Sequence, residues 1–132
     1  MPGKTALIAD DDPTAVALMS AALAKVGIQA VVARDAMQAV MGAHKTTPDI
    51  ILMDVNMPGG TGLNALQKIK SSSRTQLIPV IVVSGVDDAT LPRKVSDLGA
   101  IDFIKKPVKS DDLQKKVCAA LGLPAPGTEG KT

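Results

Sequence analysis

Acidic, hydroxyl and basic residues follow four apolar runs of this 132-residue chain, each at the point where a run ends. The residues in question are Asp10 and Asp11, Asp54, Ser84 and Lys106. If the runs are neighbouring parallel strands, their carboxyl ends lie at one edge of the sheet, where open α/β sheets bind ligands. Carboxylate oxygens are preferred ligands of Mg²⁺, and an ammonium group stabilises the charge of a phosphoryl group. The pattern therefore predicts a site for a divalent cation and a phosphoryl group.

Three carboxylates dominate this predicted site. Asp10, Asp11 and Asp54 would bring like charges close together, which raises the free energy of the ionised site unless a cation is bound. Asp54 is the candidate nucleophile, because a carboxylate can accept a phosphoryl group as an aspartyl phosphate. Asp12 directly precedes Pro13, and we interpret it as the N-cap of a helix rather than as a ligand.

Ser84 and Lys106 are the candidate contacts to the phosphoryl group. The Ser84 hydroxyl would donate a hydrogen bond to a phosphoryl oxygen, and the Lys106 ammonium would neutralise charge that develops during transfer. Consecutive residues of a strand face opposite ways, so we expect the adjacent Lys105 to be solvated. Pro107 follows Lys106 and permits a cis peptide bond there.

The elements that must position these residues alternate between strand-like and helix-like segments, five of each. This alternation is typical of a parallel sheet with helices on both faces. Turn residues separate the elements, including Pro58 and two glycines in the loop after Asp54. The expected strands are residues 6–9, 28–32, 50–53, 80–83 and 101–104.

Apolar residues at helical spacing predict which helix faces are buried. For the second helix the expected inner face is Met37, Val40 and Met41. Pro92 lies where the fourth helix should begin, and proline is tolerated only in the first turn, so we expect a short helix that starts near Leu91. The other expected inward residues are Val16, Met19, Leu23 and Val26 in the first helix, Leu63, Leu66 and Ile69 in the third, and Leu113, Val117 and Leu121 in the fifth.

The composition narrows the class of protein. A net charge of +2 and an aromatic content of 1% argue against specific nucleic-acid binding, because stacking platforms are absent. No apolar stretch approaches the roughly 18–20 residues of a membrane span. The start of the chain lacks the apolar core of a secretory signal, and a single cysteine, Cys118, fits a reducing compartment. We therefore expect a cytoplasmic protein that binds neither nucleic acid nor membrane.

Taken together, the motifs resemble the receiver domain of bacterial two-component response regulators. The resemblance covers about residues 4–121, and it implies a flavodoxin-like, doubly wound α/β fold. In that fold five parallel strands lie in the order 2-1-3-4-5 and are flanked by five helices. We expect residues 1–121 to form the receiver domain and residues 122–132 to form a flexible C-terminal tail. The residues that carry the resemblance are 7–13, 49–54, 56–59, 61–62, 79–85 and 99–107.

The resemblance also implies which residues bind the metal and the phosphoryl group. Asp54 would be the phosphoacceptor. Asp11, Asp54 and the backbone carbonyl of Asn56 would bind Mg²⁺, and Asp10 would act on the metal through water.

The same resemblance implies a switch and its partners. Ser84 would bond a phosphoryl oxygen, Lys106 would pair with the phosphoryl group, and Phe103 matches an aromatic switch position whose ring turns inward as the Ser84 hydroxyl moves. The phosphodonor would be a histidine kinase or a histidine phosphotransfer protein. Phosphorylation would shift a two-state equilibrium and so alter a protein-binding face made of helix 4, strand 5 and helix 5. The chain would be a stand-alone signalling domain of a phosphorelay, and it would catalyse only its own phosphorylation and dephosphorylation.

Two alternatives remain open from the sequence. Residues 10–14 also satisfy the D-x-D-x-T pattern of haloacid-dehalogenase-type phosphatases, with Asp10 as nucleophile and Asp12 as acid/base. That interpretation leaves Asp54 without a role. The second alternative is a binding module of the receiver fold that is not phosphorylated, and the intact acidic set argues against it.

Overall fold

A computed structural model of the chain describes residues 3–57 and 60–124. Five parallel strands form one sheet in the order β2-β1-β3-β4-β5, which confirms the predicted fold. Residues 58–59 of the predicted loop and residues 125–132 of the predicted tail lie outside this description. The strands are β1 (Lys4–Ala9), β2 (Ile28–Ala33), β3 (Ile50–Met53), β4 (Val80–Ser84) and β5 (Asp102–Lys105). The helices are α1 (Pro13–Ala24), α2 (Ala36–Thr46), α3 (Gly62–Ser71), α4 (Leu91–Asp97) and α5 (Ser110–Leu121).

The sheet lies in the middle of three layers. Strands of a parallel sheet are buried on both faces, and every residue of β3 and β4 is buried here. On one face, alternate strand residues such as Leu52 pack with residues of α1 and α5. On the other face, residues such as Met53 pack with residues of α2, α3 and α4. This two-sided core holds the carboxyl ends of the strands at fixed relative positions.

Three helices, α1, α3 and α5, bury the faces that the sequence predicts, and α4 has the predicted start. α4 begins at Leu91 and carries Pro92 in its first turn, as expected. α1 is followed by Gly27, whose φ of 79° ends the helical conformation. Confirmed inward residues are Val16, Met19, Leu23, Leu66, Ile69, Leu113 and Val117, with Val26, Leu63 and Leu121 partly buried against the core.

The expected inner face of α2 is wrong for Met37 and Met41 and confirmed for Val40. Met37 and Met41 are 67% and 62% exposed, whereas Ala39 and Ala43 are fully buried and Val40 is partly buried. Both sets recur at helical spacing, so periodicity alone does not distinguish them. The small alanine side chains let α2 lie close against the sheet, and the longer methionines are therefore turned outward.

The longest helices in the described part of the chain are α1 and α5, each with 12 residues. A bilayer-spanning helix needs about 20 apolar residues. None of the described helices is therefore long and apolar enough to cross a membrane.

Candidate functional site

The register of β1 and β3 places two carboxylates side by side. Ala9 lies opposite Met53, and the Asp54 amide donates to the Ala9 carbonyl at 2.9 Å. Asp10 and Asp54 consequently leave the sheet at adjacent positions, and both are buried. Asp11 is exposed beside them, and one carboxylate oxygen from each of the three aspartates lies within 4.8 Å of the others. The structure thus brings together the acidic cluster that the sequence predicts.

Backbone amides orient the two buried carboxylates. The Asp12 amide donates to Asp10 Oδ1 at 3.0 Å, and the Asn56 amide donates to Asp54 Oδ1 at 3.1 Å. Each bond spans two residues and fixes one oxygen of the carboxylate. The Oδ2 atoms of Asp10 and Asp54 are left to face the centre of the site.

Lys106 lies between these two Oδ2 atoms. Its Nζ is 2.9 Å from Asp10 Oδ2 and 3.0 Å from Asp54 Oδ2. The lysine is held at the end of β5, where its amide donates to the Ser84 carbonyl at 2.9 Å. The peptide bond between Lys106 and Pro107 is cis. Because its Nζ contacts both carboxylates, Lys106 connects the ends of β1 and β3 from the far edge of the sheet.

The electrostatics of the site favour one additional positive group. Burial raises the pKa of Asp54, and the nearby Asp10 acts in the same direction, while the Asn56 amide and Lys106 oppose them. Burial lowers the pKa of Lys106, but the contacts with Asp10 and Asp54 outweigh it, and the net pKa lies above its ordinary value. Three ionised carboxylates against one ammonium leave two negative charges, which a divalent cation balances.

The donor set fits a hard cation. Asp10 Oδ2 is buried, and among the described residues it makes an ion pair with Lys106 but no hydrogen bond of good geometry. A buried carboxylate oxygen of this kind has unused capacity as a ligand. Oxygen-only donors suit Mg²⁺ or Ca²⁺ rather than a soft transition metal. The carboxylates of Asp10, Asp11 and Asp54 can therefore hold Mg²⁺.

Ser84 and Phe103 lie on the neighbouring strands β4 and β5. Ser84 is fully buried at the end of β4, and its hydroxyl oxygen accepts a hydrogen bond from the Val86 amide at 3.0 Å. The hydroxyl proton is thus available to another acceptor. Phe103 pairs with Val82 across the strands and is partly buried against the core on the α2–α4 face.

Two residues lie outside the site, as the sequence predicts. Asp12 is exposed, and its Oδ1 accepts from the Thr14 amide at 3.0 Å, so it caps α1. Lys105 is exposed, and outside the acidic cluster its Nζ donates to the Val86 carbonyl at 3.0 Å and lies 3.3 Å from Asp87 Oδ1. Side-chain direction therefore separates Lys105 from Lys106 in spite of their adjacency.

Sequence reasoning missed the importance of Gly62 for the site. A Cβ atom on Gly62 would lie 2.6 Å from Val55 Cα and would overlap the carbonyl oxygen of Asp54. The Gly62 amide also donates to the Val55 carbonyl at 2.9 Å. Only glycine allows α3 to begin so close to the end of β3. The glycine-rich composition of this loop was the available signal, but it does not indicate which glycine is required.

Comparisons with known proteins agree with this geometry. A family model described as the response regulator receiver domain matches residues 6–118. Protein PilH of Pseudomonas aeruginosa is 36% identical over 115 residues, which are 87% of this chain and 95% of PilH.

Two crystal structures are similar to the chain over nearly its whole length. The receiver domain of the sensor histidine kinase PA1611 from Pseudomonas aeruginosa, with a magnesium ion in its active-site cleft, has a TM-score of 0.83 at 26% identity. That match covers 91% of this chain and 98% of the other. The response regulator domain of Thermotoga maritima CheB has a TM-score of 0.81 at 27% identity and covers 92% and 98% of the two chains.

Proposed function

The chain belongs to the response regulator receiver domain family, and from this premise we propose that it is a phosphorylation switch with Asp54 as phosphoacceptor. The observation that carries the proposal is the placement of Asp54. Its carboxylate is buried, lies in one cluster with those of Asp10 and Asp11, and is 3.0 Å from Lys106 Nζ. A nucleophilic carboxylate beside cation ligands and an ammonium group is the arrangement that phosphoryl transfer requires.

Mg²⁺ is the proposed cofactor. Asp10, Asp11, Asp54 and the carbonyl of Asn56 would hold it, and when bound it neutralises negative charge on the phosphoryl oxygens. The magnesium ion in the similar PA1611 receiver supports this assignment.

Three residues of this chain would have separate roles in phosphoryl transfer. A carboxylate oxygen of Asp54 forms a bond to phosphorus as the bond between phosphorus and the donor histidine nitrogen breaks, and the imidazole leaves with the electron pair. The Lys106 ammonium moves from Asp10 to the phosphoryl oxygens. The Ser84 hydroxyl donates a hydrogen bond to one of these oxygens. Both groups already lie at the same edge of the sheet as Asp54.

The output is a change in protein binding. The proposed donor is a histidine kinase or a histidine phosphotransfer protein, and a downstream protein would bind the face formed by α4, β5 and α5. Ser84 and Phe103 would connect this face to the site, since β4 and β5 are paired from Ile81 to Ser84. Phosphorylation acts by favouring one of two arrangements of these residues.

The phosphatase alternative lacks support from the geometry. It needs Asp12 as acid/base beside Asp10, but the Asp12 side chain is exposed and caps α1. It also gives no role to Asp54, whose buried carboxylate lies 3.0 Å from Lys106 Nζ.

One experiment separates these functions. The protein is incubated with Mg²⁺ and acetyl phosphate, and the acid-stable, base-labile adduct is mapped by mass spectrometry. We expect one phosphoryl group on Asp54, no adduct in Asp54→Asn, and an unchanged adduct in the control Asp12→Asn, because asparagine is also a good N-cap. An adduct on Asp10 with continuous turnover would support the phosphatase instead. No adduct on any residue would favour an unphosphorylated binding module.

A further inference from the structure

A cleft between α2 and α3 has no role in the proposed phosphoryl transfer. Its volume is about 200 Å³, and Met37 and Met41 line it while remaining 67% and 62% exposed. The two methionines are one helical turn apart and therefore lie side by side along α2. The other apolar residues that line the cleft are Ala36, Val40 and Ala65.

Two adjacent methionines on a helix surface expose apolar side-chain area to water, which is unfavourable. A contiguous exposed apolar patch with a polar rim is characteristic of an interaction surface. Methionine is unbranched and polarisable, and it adapts to different apolar partners, which is why it is common on binding surfaces. An apolar stripe along a cleft between two helices suits the apolar face of a third helix.

The charges of the two helices beside the cleft are positive, and Asp35 at the start of α2 is a negative group next to it. Neither α2 nor α3 contains an aspartate or a glutamate. Lys68 lines the cleft, and Lys45 follows Met41 by one turn on the same side of α2. Both lysines are exposed, and neither has an ion-pair partner among the described residues. This surface is complementary to an acidic partner.

The cleft also adjoins the segment that follows the phosphoacceptor. Thr61 lines it and caps α3 by accepting from the Asn64 amide at 3.1 Å. The same Thr61 pairs with Asn56, two residues beyond Asp54. An occupant of the cleft would therefore contact the chain next to the site, at two helices that are not part of the α4–β5–α5 face.

We propose that this cleft binds an acidic amphipathic helix of a partner protein. The apolar stripe of that helix packs on Met37 and Met41, and its carboxylates face Lys45 and Lys68. The surface is separate from the face assigned to the phosphorylation-dependent partner, and binding does not require phosphorylation.

The test uses a synthetic helical peptide of about 15 residues, a length at which isolated helices become stable. Leucines occupy one face at positions i, i+3, i+4 and i+7, and glutamates flank them. The protein carries ¹³C-labelled methionine methyl groups, and Met37→Gln and Met41→Gln assign the resonances of these two residues. We expect the peptide to shift the resonances of Met37 and Met41. The resonances of Met19 and Met53, which are 1% and 0% exposed, should stay unchanged. No phosphodonor is present, so this result is independent of the proposed phosphorylation.

Matched variants test which residues are responsible. The double variant Met37→Gln/Met41→Gln should bind the peptide at least about tenfold more weakly, since both side chains are exposed and their replacement leaves the fold intact. Leu77→Gln removes another apolar side chain, 90% exposed and outside the cleft, and should bind as tightly as the unmodified protein. Lys68→Glu should weaken binding of the glutamate peptide. The same variant should bind more tightly to a peptide with lysine in place of glutamate.

Several results would overturn the proposal. A scrambled peptide of equal composition that binds as tightly would show that no helical stripe is recognised. An equal loss of binding in Leu77→Gln would show non-specific apolar contact. Shifts of the Met37 and Met41 resonances that depend on protein concentration without peptide would assign the cleft to a second copy of the chain.

Discussion

Gly62 determines how closely α3 can approach Asp54, the proposed phosphoacceptor. A Cβ atom at this position would lie 2.6 Å from Val55 Cα and closer still to the Asp54 carbonyl oxygen. We expect Gly62→Ala to lower the free energy of unfolding by about 1–3 kcal/mol, as overpacking does. Phosphorylation of Asp54 should also slow, because small displacements of a reacting group are costly. Urea denaturation and the rate of adduct formation measure the two effects.

Gly42 provides the control for that substitution. It lies inside α2, and a Cβ atom there would make an ordinary contact, 3.5 Å from Leu7 Cδ1. Gly42→Ala should therefore raise the free energy of unfolding by about 0.5–1 kcal/mol through helix propensity. A loss of stability like that of Gly62→Ala would contradict the explanation from close approach.

We expect Lys106 to have opposing effects on the proposed cation binding and phosphoryl transfer. Its ammonium lies within 3.0 Å of both Asp10 and Asp54, where it competes with a cation. Lys106→Met should increase the affinity for Mg²⁺ by an order of magnitude, roughly 1.4 kcal/mol, because three carboxylates then lack their positive neighbour. Phosphorylation should nevertheless slow, because no ammonium stabilises the phosphoryl oxygens. Calorimetric titration with Mg²⁺ measures the affinity, and weaker binding by the variant would contradict this account.

At the scale of elements, α2 shows how side-chain size decides which face of a helix is buried. Ala39 is fully buried, and Met41 is 62% exposed. Ala39→Met should lower the free energy of unfolding by about 1–3 kcal/mol, since the added atoms have no space between helix and sheet. Met41→Ala should change it by less than about 0.5 kcal/mol. Urea denaturation followed by circular dichroism measures the free energy of unfolding of both variants. A larger loss of stability in Met41→Ala than in Ala39→Met would contradict this assignment of the buried face.

The other elements were more predictable because their patterns are local. Ile50–Met53 is a continuous apolar run with the predicted strand bounds, and Asp12, Asp35 and Thr61 each cap the helix that follows them. Pro92 limits where α4 can begin, since proline is compatible with the first turn only. In each case the residue acts on its own neighbours in the chain, so the sequence is sufficient.

At the scale of the whole molecule, the proposed cation site should couple cation binding to folding. Its carboxylates come from the ends of β1 and β3, which are adjacent only in the folded chain. Mg²⁺ should therefore stabilise the fold, by about 2.7 kcal/mol at a concentration one hundred times its Kd. Thermal unfolding in Mg²⁺ and in EDTA measures the difference. The Asp11→Asn variant should lose most of the stabilisation by Mg²⁺, and the Asp12→Asn variant should retain it. Equal unfolding temperatures in Mg²⁺ and in EDTA for the unmodified protein would show that the cluster does not bind the ion.

The sequence by itself determined the three-layer α/β fold and the set of residues that meet at the site. Apolar runs define buried strands, and parallel strands in this topology necessarily bring Asp10, Asp54, Ser84 and Lys106 to one edge of the sheet. Only the tertiary structure decided that Lys106 bridges two carboxylates, that α3 requires glycine at position 62, and that α2 turns its methionines outward. These features depend on the distances between elements that are remote in the chain, and packing of the whole core sets those distances.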